Sequence, residues 1–205
     1  MTPPFLITGL GRSGTGWAAA IMTALGHPTG HEQVFRYDGA QEFTQPESSW
    51  MAVPYARSLH DALGTPVVRM VRDPYEVAAS AYERGFLADV EEPHAAYALR
   101  NCSVISEASD HLGRVLRWVG FWDWTLDSVP HMDVMLNSPD VGGMVRYVTG
   151  RWADPFEVSD ARVLVGSLVN SKEHERVLDR PTRAQIDDHY DGHLIRSRAE
   201  RFGYR

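Results

Sequence analysis

The residues best placed for chemistry lie almost at the start of the chain, in FLITGLGRSGTGW, residues 5–17. Between Gly9 and Gly16 stand four glycines, Arg12 and the hydroxyls of Ser13 and Thr15. A strand that turns through glycines into a helix is a device for holding an anion. Backbone N–H groups of Ser13 to Gly16 face the anion, with the positive end of the helix dipole behind them. Glycines at 11, 14 and 16 let the backbone come close. Arg12 adds a formal charge, and Ser13 and Thr15 add hydroxyl donors. Trp17 either offers a face on which a purine stacks or packs into the core beneath its helix.

Two familiar loops share this glycine pattern. GLGRSG, 9–14, matches the dinucleotide fingerprint G-x-G-x-x-G. A Rossmann site also needs a second strand ending in an acid about 20 residues on. Glu32 has that distance, but GHPTGHEQV before it makes a poor strand. A Walker A loop fits the spacing from Gly9 to Gly14 and fails at Thr15, where a lysine should stand.

A second strand-to-helix junction lies in VVRMVRDPYEVAASAYERGF, 67–86. Asp73 and Pro74 start a helix there, which leaves Arg72 at the carboxyl edge of a strand, where α/β folds bind ligands. Its guanidinium can take two phosphate oxygens at once, or pair with Asp73 or Glu76. Ser80 follows, about 10 Å along the helix from Asp73. Between the junctions, HEQVF at 31–35 carries two candidate bases, His31 and Glu32. A histidine, with an ordinary pKa of about 6.5, suits that task at neutral pH without the upward shift a carboxylate needs.

GRSGTGW resembles the 5′-phosphosulfate loop of sulfotransferases that use 3′-phosphoadenosine 5′-phosphosulfate (PAPS). That family's cation matches Arg12, its serine and threonine match Ser13 and Thr15, and its tryptophan matches Trp17. Gly14 keeps the family's glycine, and Gly16 replaces its usual second threonine. RDPYEVAAS is similar to the family's second signature, and the resemblance implies that Arg72 and Ser80 contact the 3′-phosphate. It implies the cofactor PAPS, the product PAP, and a small-molecule or carbohydrate hydroxyl or amine as acceptor. By the same resemblance Glu32 is the first choice of base and His31 its competitor; His60, on an amphipathic helix, matches less well. Arg12 would hold the leaving phosphate as charge develops on it. AERFGYR resembles the way many bacterial members end, and GSLVNSKEHER, 166–176, is the nearest candidate for a late cofactor loop. Two other functions stay open: an NAD(P)-linked oxidoreductase, and a PAP-binding relic without catalysis.

The elements that must position these residues follow from periodicity. FLITGL and TPVVRMV read as buried strands and HMDVML as a third. TGWAAAIMTALG reads as a helix, apolar at Trp17, Ala20, Ile21, Ala24 and Leu25 and closed by Gly26. Residues 27–57 are loop-rich, and Phe35, Tyr37 and Trp50 there are candidates for acceptor contacts. PYARSLHDALG and 95–129 read as helical, with Trp118, Phe121 and Trp122 at helical spacing as core. Ser138 and Pro139 are expected to start a helix, and ARVLVGSLV to be a strand or buried turn. Thr182 with Gln185 makes a capping box for a last helix that Gly203 ends. Alternating strands and helices predict an α/β fold of three-layer P-loop type, with helices flanking a central parallel sheet, in one domain over 1–205.

Composition narrows the partners. A net charge of −7 lacks the basic surface that nucleic-acid binding needs, so no nucleic acid is expected. Lys172 is the single lysine among 20 basic residues, and the rest are arginine; nucleotide bias is the simpler cause, although arginine's fixed fork also suits phosphate and sulfate. One cysteine, Cys102, excludes an intrachain disulfide. No apolar run approaches the roughly 20 residues of a membrane span, and no basic-then-apolar leader opens the chain, so a cytoplasmic protein is expected. Nine scattered histidines suggest no metal site.

Overall fold

A computed structural model of the chain describes residues 3–169 and 177–204. The fold is α/β around a parallel sheet, as expected. The chain forms two compact units, Met1–Val71 with Thr125–His174 and Arg72–Trp124 with Glu175–Arg205.

The first unit holds the sheet. Its strands are β1 (Leu6–Gly9), β2 (Gly30–His31), β5 (Glu47–Ser48), β6 (Val67–Val71) and β7 (His131–Met135). A hairpin of β3 (Phe35–Arg36) and β4 (Gly39–Ala40) stands apart. The helices are α1 (Thr15–Ala24), α2 (Ala56–Leu63), α6 (Val141–Thr149) and α7 (Pro155–Val169), with a 3-10 turn at Trp50–Tyr55 before α2. The sheet order is β2-β5-β1-β6-β7, and every pairing in it is parallel. Strand order therefore reverses around β1, with its earlier followers on one side and its later ones on the other. In open α/β sheets that reversal leaves a crevice at the carboxyl edge, and the glycine loop begins there.

The sheet forms because β1 and β6 are largely apolar and fully buried, as central parallel strands are. Ile7, Val68, Met70 and Val134 meet Ala18, Ile21 and Met22 of α1, Met144 and Val148 of α6, and Ala161 and Val165 of α7. Each large side chain so buried stabilises the fold by roughly 1.5–3 kcal/mol. Arg69 interrupts the apolar run yet is 2% exposed. Register sets it directly opposite Asp133 on β7, and its Nε and Nη2 donate to the two Asp133 oxygens at 2.6 and 3.0 Å. Burial alone would raise the Asp133 carboxyl, but hydrogen bonds from His131 and Arg69 outweigh it and hold it well below the carboxylate range.

The second unit is helical: α3 (Pro74–Glu83), α4 (Pro93–Asn101), α5 (His111–Phe121), α8 (Arg183–Asp188) and α9 (Gly192–Arg201). The core of this unit forms where α5 packs on α3 and α9. Trp118 and Trp122 are buried there, the packing role their spacing suggests.

Several expectations need correction. The buried face of α1 is Thr15, Ala18, Ala19, Ile21 and Met22, while Ala24 is exposed and Trp17, Ala20 and Leu25 are half-buried. ARVLVGSLV is helix rather than strand. Asp154 caps it, accepting Phe156 N at 2.8 Å, and Pro155 opens it, so a 3.6-residue period buries Ala161 and Val165. The helix expected at Ser138 starts at Val141, where Asp140 accepts Gly143 N at 2.8 Å. PYARSLHDALG splits into the 3-10 turn and α2. The Thr182–Gln185 capping box is present but belongs to α8, and α9 is a separate helix. The break falls before Gly192, where a Cβ would lie 2.1 Å from the Ile186 carbonyl oxygen.

Candidate functional site

The glycine loop leaves β1 at Gly9, whose φ of +138° and a Met70 carbonyl 2.6 Å from any Cβ restrict the position to glycine. Gly14 closes the loop in the left-handed region at φ +102°, where a Cβ would strike Leu136 of the same unit. Between them Arg12 is exposed and also left-handed, at φ +70°. A non-glycine residue held there costs about 1–3 kcal/mol. The Ser13 hydroxyl, 1% exposed, donates to the Leu10 carbonyl at 2.5 Å. Its proton is spent on closing the loop, so the Ser13 hydroxyl braces the loop here, where the sequence suggests a donor to the anion. Thr15 is buried at the first turn of α1, a turn without acidic residues. Trp17 packs half-buried against the core of the unit.

Beside the loop, β2 ends in His31 and turns at Glu32, also left-handed at φ +56°. Among the described residues only Arg12, Glu32 and Leu87 combine a side chain with positive φ, and strain of that kind gathers at functional sites. Ser48 on β5 organises the turn. Its carbonyl accepts Glu32 N at 3.2 Å and His31 Nδ1 at 2.8 Å, and its own hydroxyl donates to the Thr15 carbonyl at 2.7 Å. A carbonyl only accepts, so His31 Nδ1 carries a proton, and in the neutral ring Nε2 holds a lone pair. That Nε2 lies 3.0 Å from where a Cβ on Gly16 would stand. The imidazole thus occupies the space a side chain at position 16 would take. His31, Ser48 and the glycine loop all stand at the carboxyl ends of parallel strands. His60, by contrast, bonds through Nδ1 to the Thr65 carbonyl, before β6 begins, at the opposite sheet edge.

Glu47 gave no signal in the sequence. It is fully buried on β5, and its Oε1 accepts Gln33 N at 2.8 Å and Val34 N at 3.4 Å. Burial pushes its carboxyl above the ordinary range despite those bonds. Oε2 has no hydrogen-bond partner and fills the space where a Cβ of Gly30 would sit. The carboxyl thus clamps the residues just beyond His31 and Glu32.

The second unit carries Arg72, the residue after β6, and Ser80, buried on α3. Asp73 caps α3, accepting Tyr75 N at 2.9 Å. Arg72 pairs with Glu76 across one turn at 3.4 Å, the ion pair its sequence allows. The same Glu76 oxygen takes Arg180 at 2.7 Å, and Arg180 also reaches Glu83 at 3.3 Å. Two arginines more than 100 residues apart in sequence therefore share one carboxylate, a convergence no local motif announces. Arg183 lies 4.1 Å over the Tyr75 ring, whose hydroxyl donates to Asp187 at 2.6 Å. Tyr204, of the terminal glycine–tyrosine pair, is raised by burial and lies close enough to Asp73 and Arg72 to feel their charges.

Of the expected acceptor contacts, Phe35 and Trp50 are buried and Tyr37 is exposed. In the suggested late loop, residues 166–169 belong to α7 and 170–176 lie outside the described residues. Among the described residues no group of three histidine, cysteine or acidic side chains is arranged to hold a metal ion, and no helix is long and apolar enough to cross a membrane. Comparison with protein-family models, curated proteins and solved structures finds no match to this chain.

Proposed function

We propose that the chain is a PAPS-dependent sulfotransferase built on a three-layer P-loop-type fold. The observation that carries this reading is the grouping, at one carboxyl sheet edge of the first unit, of the glycine loop and the His31–Glu32 turn. Order around β1 supports the P-loop type, because the anion loop follows the strand at which sheet order reverses.

In this reading Arg12 and the amides of Ser13 to Gly16 hold the 5′-phosphate on the leaving side. The family resemblance assigns the 3′-phosphate to Arg72 and Ser80, which belong to the second unit. Glu32 removes the acceptor proton as the sulfur–oxygen bond to the leaving phosphate breaks and a bond from sulfur to the acceptor oxygen or nitrogen forms. The products are PAP and the sulfated acceptor. An NAD(P) site fits less well. A Rossmann order sets the second strand directly beside the first, and here β5 stands between β2 and β1.

Calorimetry with PAP and a transfer assay over a panel of acceptors test this. Arg72→Ala is expected to weaken PAP binding roughly tenfold to a hundredfold, the worth of a charged hydrogen bond. Glu32→Gln should slow turnover by about a hundredfold or more with little change in PAP affinity. An unchanged rate removes Glu32 as the base. NADP binding in place of PAP overturns the assignment, and tight PAP binding without transfer marks a nucleotide-binding relic.

A further inference from the structure

Gly16 is the residue of the anion loop that brings no side chain, and His31 is the side chain that stands in its place. The ring is oriented from behind: Nδ1 gives its proton to Ser48, whose own hydroxyl is tied to the Thr15 carbonyl. Nε2 is thereby turned to Gly16. In the neutral ring Nε2 offers a lone pair, which repels an anion seated on the loop amides. In the imidazolium both nitrogens donate.

Resting on the sulfotransferase reading of this loop, we infer that His31 is a proton-coupled anion contact: the loop binds its phosphate-bearing ligand together with one proton, taken from water onto His31 Nε2. The charged groups around the ring set the conditions for that uptake. Glu47 on β5 and Glu32 beside it are the acids close by, the first turn of α1 contributes none, and Arg12 is the loop's own charge. A bound dianion adds the remaining attraction for the proton. His31 then serves the leaving side of the reaction, which leaves the base to Glu32 on the same turn.

Proton uptake has a direct readout: the heat of binding PAP, or inorganic pyrophosphate as a bare anion, measured in buffers of different ionisation enthalpy. The wild-type chain is expected to take up a proton on binding and to bind about tenfold more weakly in alkaline than in acid buffer, because the deprotonated ring can no longer donate through both nitrogens. Protonation of the ligand's own phosphate would act in the opposite sense, releasing a proton on binding. His31→Ala should bind PAP about tenfold more weakly at the acid end and abolish both the uptake and the slope. Gly16→Ser alone should weaken binding, because its side chain meets the imidazole. Combined with His31→Ala, the serine hydroxyl should restore affinity without pH dependence. PAP binding with no proton uptake, or a slope that survives His31→Ala, overturns the inference and leaves the sulfotransferase reading standing. Pyrophosphate bound with uptake but PAP bound no more tightly does the reverse. Binding of neither removes both.

Discussion

The two strand-to-helix junctions are built by opposite means. In the first unit the loop after β1 is made of backbone: glycines at 9 and 14, a brace from Ser13 to Leu10, and a helix whose first turn holds no acid. In the second unit the start of α3 is made of charge, with Arg72 and Arg180 sharing one oxygen of Glu76. A backbone loop takes its shape from its own dihedrals and hydrogen bonds. Guanidiniums placed by side-chain ion pairs are adaptable, but any incoming anion must compete with a carboxylate. Shape decides at the first junction and ionic balance at the second.

Substitutions that test shape should have the largest effect. Gly9→Ala puts a Cβ 2.6 Å from the Met70 carbonyl at a φ of +138°, and denaturant unfolding should show a loss of about 3 kcal/mol or more. A variant as stable as the parent would mean that the loop can yield, and the contrast with the second junction would weaken. Glu76→Gln tests the ionic side. Removing the shared carboxylate should tighten PAP binding about threefold to tenfold and steepen its dependence on salt. Unchanged affinity would show that Glu76 does not compete. Ser13→Ala should have the smallest effect: about 1 kcal/mol of stability from the lost brace and little change in PAP affinity. A fall in affinity as large as that from Arg12→Ala would instead mean that Ser13 serves the ligand directly.

What the sequence revealed follows the same division. The junctions were legible because glycine, proline and an aspartate cap punctuate them, and punctuation is local. The edge of the sheet was not. β2 and β5 are two residues long, too short for any period, and lie in a stretch rich in glycine and proline. QPESSW gives no sign that Glu47 is fully buried, since burial of a polar residue is decided by its partners, here the amides of Gln33 and Val34. ARVLVGSLV was ambiguous for a different reason. Its β-branched residues suit a strand, and tertiary packing of Ala161 and Val165 outweighs that preference. Arg180 could not be matched to Arg72 because only the folded chain brings both to Glu76.

Ser48 is one small residue that fastens three things: the carbonyl of Thr15, the ring of His31 and the amide of Glu32. Whatever fluctuation displaces this stretch of the outer sheet must therefore carry helix start, imidazole and carboxylate in the same direction. Their mutual spacing survives motions that would scatter three independently anchored groups, so alignment here is a property of a single hinge pin rather than of three separate fits.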